Sequence, residues 1–164
     1  MNIDEGFNTP FASQIKADPM SDTSYITDIK TAARRVLEEV FPADDEAALI
    51  AAVTPDFVNH ESPAGTPPGP GGAIFYMHAL ARAFTDQRWT VHEVIAEGDT
   101  AVVYCTHSGR HTGPFFDLPA TGRPFSYRQM HMIRIVDGKG AEHWAVRDDA
   151  SLMHQLTGPP PQHS

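Results

Sequence analysis

The chain reads as an α+β protein in which N-terminal helices cover one face of a curved antiparallel sheet. Two observations predict this. Apolar residues recur at helical spacing through most of the first half, and from Arg88 onward the period falls to two. Gly98-Asp99 and Asp137-Gly138-Lys139 supply hairpin turns inside that second stretch. Helices followed by a meander of strands make two layers, and a strongly curved sheet closed by helices leaves a conical interior suited to a small molecule.

The elements follow in order. Residues 1–22 mix Asn, Asp, Ser, Gly and Pro without period and are expected to form a flexible extension. Ile26, Ile29, Ala33, Val36, Leu37, Val40 and Phe41 mark a first helix, with Thr23 or Ser24 as its cap and Pro42 as its stop. Asp44, Asp45 and Glu46 suit the first turn of a second helix running to Val53, which Thr54-Pro55 ends. The Pro/Gly stretch 63–72 is a loop, and Ala73 to Phe84 form a third helix. Four strands are expected over 88–97, 101–111, 125–136 and 141–148. Leu152, Met153 and Leu156 give a short closing helix. One domain over 23–157 and a disordered tail over 158–164 complete the plan.

Composition excludes several function classes. The 164 residues hold 12 Lys and Arg against 21 Asp and Glu, for a net charge of −9, so neither nucleic acid nor an anionic membrane is the expected partner. Most of that charge lies before His60, whereas all nine histidines lie at or beyond it. Cys105 stands alone, which rules out an internal disulfide and a zinc ribbon. No apolar run reaches membrane-spanning length and the first residues lack a signal-peptide pattern, so a cytoplasmic protein is expected. HxH and HExxH spacings are missing, and the 63–72 loop carries no phosphate-binding glycine pattern; neither a metal nor another cofactor is expected.

Strand alternation sorts the polar residues by face. Tyr127, Gln129, His131, Ile133 and Ile135 share one face of the third strand. In the first strand Trp89, Val91, Glu93 and Ile95 go together, and in the fourth Trp144, Val146 and Asp148 do. Their apolar members predict that these three sets point inward, carrying Gln129, His131, Glu93 and Asp148 with them. Such residues either line a site or satisfy one another in a core network, and Asp148 either acts as a base or caps the helix that follows. His60, ahead of the Pro/Gly loop, is a candidate for the pocket mouth; His92 and His143 are expected to be exposed. The opposite sheet face, with Tyr104, Met130 and Met132 between Arg128 and Arg134, suits a homodimer contact.

Phe57-Val58-Asn59-His60, Gly109 to Gly113, Pro119 to Arg123, Asp137-Gly138-Lys139 and Glu142 to Asp148 occur in an order that resembles the SnoaL-like polyketide (ester) cyclases. The resemblance implies the conical nuclear-transport-factor-2-like (cystatin-like) fold. It also implies cofactor-independent intramolecular aldol ring closure of a small apolar, aromatic polyketide-like ester. On that pattern Asp148 is the acid/base and His131 and Gln129 stabilise the enolate oxygen. Tyr127, Trp144, Phe115 and Phe116, with His60 and Glu93, would then contact substrate. Another hydrolase or isomerase of the same cone, or a non-catalytic small-molecule-binding homodimer, is the competing reading.

Overall fold

Five strands form one sheet in the order β1-β5-β4-β3-β2. The computed structural model describes residues 23–159; the expected extension at 1–22 and most of the expected tail lie outside them. The strands are β1 (Val53–Asn59), β2 (Phe84–Glu97), β3 (Thr100–His111), β4 (Pro124–Val136) and β5 (Lys139–Arg147). The helices are α1 (Thr23–Arg35), a single α turn α2 (Phe41–Ala43), α3 (Glu46–Ala52), α4 (Gly71–Ala83) and α5 (Asp149–Thr157). The architecture is the expected α+β one, helices on a curved, mainly antiparallel sheet.

Local chemistry explains most boundaries. Ile29 and Ala33 of α1 continue the buried stripe into Leu37 and Val40, but Val36–Val40 wind as a π-helical turn before α2. Pro42 does not stop the helix there; it sits in the first turn of α2, and Asp44 ends that turn with a positive φ. The Asp45 side chain caps α3 by accepting from the Ala48 N–H at 2.9 Å. In α4, Ala73, Met77 and Leu80 recur at helical spacing and are buried. Asp137 and Gly138 both adopt positive φ, as the two-residue hairpin between β4 and β5 requires.

Three expectations are corrected. The segment after α3 is a strand, and β1 pairs parallel to β5, with Asn59 opposite His143. Pro55 is compatible with that strand because β1 lies at the sheet edge. In β2 the register shifts between Val91 and Glu93, so Val94 points inward and Glu93 and Ile95 face outward. In β5 the register shifts where Ile135 pairs with Gly140 and Arg134 with Glu142. That extra residue inverts the expected faces. His143, Ala145 and Arg147 stand opposite Ile133, His131 and Gln129 on the concave side, while Trp144 and Val146 pair with Met132 and Met130 on the outer side.

The core lies between the concave face and the helices. Trp89, Val91, Val94, Ala101, Val103, Cys105, Ile133 and Ile135 meet Ile29, Ala33, Leu37 and Leu80 there. Burial pushes the Cys105 thiol up to about 12, which keeps it a protonated apolar filler.

Candidate active site

A cavity of about 160 Å³ opens between the helices and the concave face. Its helical wall is apolar, with Ala33, Val36, Leu37, Phe41, Leu49 and Leu80, while Trp89, Gln129, His131, His143, Arg147 and Asn59 supply polar groups from the sheet. Apolar walls with a few converging polar groups are the usual make-up of a ligand site.

These polar groups form a chain of hydrogen bonds over β2, β4, β5 and β1, with a second short run beside it. Trp89 donates its indole N–H to Gln129 Oε1 at 3.0 Å, and His131 Nε2 lies 2.9 Å from the same oxygen. His131 Nδ1 meets His143 Nε2 at 2.9 Å, and His143 Nδ1 lies 2.8 Å from Asn59 Oδ1. Beside it on the same face of β4, the Tyr127 hydroxyl meets His107 Nδ1 at 3.3 Å. His107 Nε2 then reaches Gln87 Oε1 at 3.1 Å, and the His107 ring stacks on Trp89 at 3.7 Å.

Proton counting gives this chain a direction. An indole N–H only donates, so Gln129 turns its carbonyl toward Trp89 and His131, and His131 Nε2 carries a proton. At the far end the backbone N–H of Glu61 donates to Asn59 Oδ1, so His143 Nδ1 must also donate. Three contacts therefore need three ring protons, whereas two neutral imidazoles carry two. The contact between the rings lacks its proton until the pair takes one up.

Burial opposes that uptake. It holds His143 down to about 4 and His131 well below the ordinary histidine value, with the Arg147 charge adding to the effect on both. The pair is a neutral base at pH 7, stressed by its own unfilled contact. His107 is held down to about 3, again mainly by burial, but its two partners suit the neutral ring: Tyr127 donates to Nδ1 and Nε2–H donates to Gln87.

The nine residues expected in the site divide. Gln129 and His131 line the cavity, and Tyr127 stands beside Gln129 on the same face of β4. Asp148 does not reach it: its exposed side chain caps α5, accepting from the Ser151 N–H at 3.0 Å. Trp144 belongs to the outer face, where His60 stacks on it with centroids 4.4 Å apart and also bonds Glu142. Glu93 turns outward behind the β2 bulge. Phe115 packs against Phe84 in the core and Phe116 is 73% exposed.

Sequence reasoning missed Asn59, His143 and Arg147. Gly140 at the head of β5 was the available signal, since a glycine in a strand often marks a bulge, and a bulge there turns His143 and Arg147 inward.

Residues 31–156 match the family model for the SnoaL-like polyketide cyclase. The chain belongs to that family. It is 33% identical over 112 residues to nogalonic acid methyl ester cyclase of Streptomyces nogalater, covering 66% of this chain and 83% of that protein. It is 49% identical over 53 residues to aklanonic acid methyl ester cyclase DnrD of Streptomyces peucetius, where the match spans 32% of this chain and 37% of the relative. Aklanonic acid methyl ester cyclase DauD of Streptomyces sp. strain C5 is matched over 33% of its length, so the chain spans about a third of either protein. Among solved structures, TsrD from Streptomyces laurentii superposes with a TM-score of 0.70 at 27% identity, covering 84% of this chain and 98% of that one. A structure from Jannaschia sp. CCS1 at 24% identity and TM-score 0.74, covering 85% and 98%, shares the fold. With the nuclear-transport-factor-2-like cone, the SnoaL-like family and its cyclase relatives agree with the sequence reading.

Proposed function

We propose that this SnoaL-like protein closes a ring in a polyketide-like ester by intramolecular aldol addition, without metal or organic cofactor. One observation carries the reading: the His131–His143 pair, buried at an apolar cavity and one proton short of a complete hydrogen-bond chain. A carbon between two carbonyls is acidic enough for a positioned imidazole to deprotonate. The removed proton fills the contact between His131 Nδ1 and His143 Nε2. The enolate carbon then attacks a second carbonyl carbon of the same chain, forming the C–C bond, and the resulting alkoxide takes the proton back. No atom or electron is left over. The base role expected for Asp148 thus passes to the imidazole pair, while Gln129 keeps His131 oriented.

The cyclase relatives support an ester of the aklanonic or nogalonic type as the first trial substrate. The test is to incubate the protein with aklanonic acid methyl ester and follow the ring-closed product by chromatography and mass. Ring closure above the uncatalysed background, lost in His143→Gln, supports the reading; background rates alone for both proteins sink it.

The outer sheet face supports a homodimer. Met130, Met132, Val146 and Ile95 are exposed there beside Trp144, apolar groups suited to a contact with a second copy. Among the described residues no helix is long and apolar enough to cross a membrane. A cytoplasmic location, the expectation from the sequence, belongs to the same proposal.

A further inference from the structure

Arg147 is the feature of the cavity that proton transfer by the imidazole pair does not use. Its side chain is 15% exposed, lines the cavity and carries its guanidinium 5.4 Å above the Tyr76 ring. Among the described residues the nearest carboxylate oxygen is Glu61 Oε2 at 3.9 Å, beyond hydrogen-bond reach, and no hydrogen bond satisfies the guanidinium. Glu61 is held elsewhere, accepting from the Ala145 N–H through Oε1 at 3.0 Å. Arg35, the other guanidinium of the lining, is 63% exposed and pairs with Glu39. Its five donors have no hydrogen-bond acceptor among the described residues, and none of its nitrogens is sealed off, so the fork is open to an acceptor that a ligand brings into the cavity.

The groups around Arg147 say what that is. Glu61, after β1, and Asp149, on α5, act on it from outside the lining, where water screens them. On the cavity side stand Tyr76 of α4, His143 of β5 and His131 of β4, with Tyr127 and His107 behind; burial keeps the phenols and imidazoles neutral. The cavity thus presents one positive fork to its ligand, beside a base.

We propose that Arg147 binds the ligand as a planar two-oxygen anion, the enolate of a β-diketone or β-keto ester, and so makes the site selective for carbon acids. This rests on the ring-closure reading and adds the group that binds the ionised substrate and selects for it. Two parallel N–H bonds from the guanidinium match the two enolate oxygens, a geometry an ammonium does not reproduce. Negative charge moves onto those oxygens as the carbon loses its proton to the His131–His143 pair, and Arg147 stabilises that charge where it develops.

Naphthoylacetone, a flat β-diketone whose enolate absorbs differently from its neutral form, is a suitable probe. Its apparent pKa when bound is read by absorbance titration. The wild-type protein lowers it by about one pH unit or more relative to buffer, Arg147→Gln abolishes the shift, and Arg147→Lys retains part of it. The dimethylated derivative, with no proton between its carbonyls, binds the wild type about tenfold more weakly than the parent diketone, and the two ligands bind Arg147→Gln equally. An unshifted bound probe, or the same shift in Arg147→Gln with an unchanged circular dichroism spectrum, overturns the proposal. Ring closure of the trial ester without a probe shift removes this inference alone; a probe shift without ring closure removes the cyclase reading alone.

Discussion

Trp89 on β2 holds Gln129 on β4 by a single indole N–H donated to Oε1 at 3.0 Å, reaching across the intervening strand β3. That bond decides which way the amide faces, and the amide decides which His131 nitrogen carries a proton.

Trp89→Phe keeps the ring and removes the donor. The amide of Gln129 is then free to turn, and His131 loses its fixed tautomer. Ring closure is expected to fall about tenfold, with roughly 1–3 kcal/mol of stability lost to the unsatisfied group. Product rates alongside urea unfolding check both effects, and a fully active variant would show that the tautomer is set elsewhere.

Asp148 caps α5, whereas His143 stands in the proposed imidazole pair. Asp148→Ala removes a helix cap and is expected to cost about 1 kcal/mol while leaving turnover unchanged. His143→Gln is expected to reduce turnover by about a hundredfold or more with the fold intact. Assaying the two variants side by side distinguishes the imidazole pair from the aspartate as the base.

Acid should loosen this protein through the same histidines. Their folded values lie below the unfolded value of about 6.5, so the unfolded chain binds more protons between the two. Stability is fully present above about pH 6.5 and is lost as pH falls toward about 4 for His143 and about 3 for His107. Each contributes a slope of up to about 1.4 kcal/mol per pH unit in that window. Melting temperature measured from pH 7 down to pH 4.5 checks the trend, and His143→Gln should flatten it.

How far the sequence reveals this site depends on each strand. β4 is legible because Tyr127, Gln129, His131, Ile133 and Ile135 alternate with exposed residues over its whole length. β5 is not, because Trp144 and Val146 place apolar groups on the outer face and His143 and Arg147 place polar ones on the inner face. Hydrophobicity then points the wrong way, and only the bulge at its head reveals the true register. Glu93 is misplaced by the same kind of event in β2, where one extra residue reverses the alternation halfway along. Asn59 depends on a parallel pairing with β5, more than eighty residues away, which local pattern does not carry. The helices and hairpins, whose causes are local caps and turns, are read nearly in full.

The outer face offers a separate test. Val146 is 77% exposed beside Met130, so Val146→Glu adds a charge to each half of a twofold contact without touching the cavity. The wild type is expected to run as a dimer in light scattering and the variant as a monomer. A wild type that scatters as a monomer at micromolar concentration removes the dimer.

The π-helical turn at Val36–Val40 has a consequence for how this chain tolerates change in length. It places an additional residue between α1 and Phe41, whose ring meets Trp89 edge-on at 5.8 Å, above the indole that orients Gln129. Deleting one residue there would restore a regular helix and rotate everything beyond it by about 100° relative to α1. Phe41 would swing off the indole and the cavity would lose part of its roof, although no polar residue of the site had been altered. The spacing of that one turn therefore shapes the cavity as much as the histidines beneath it do.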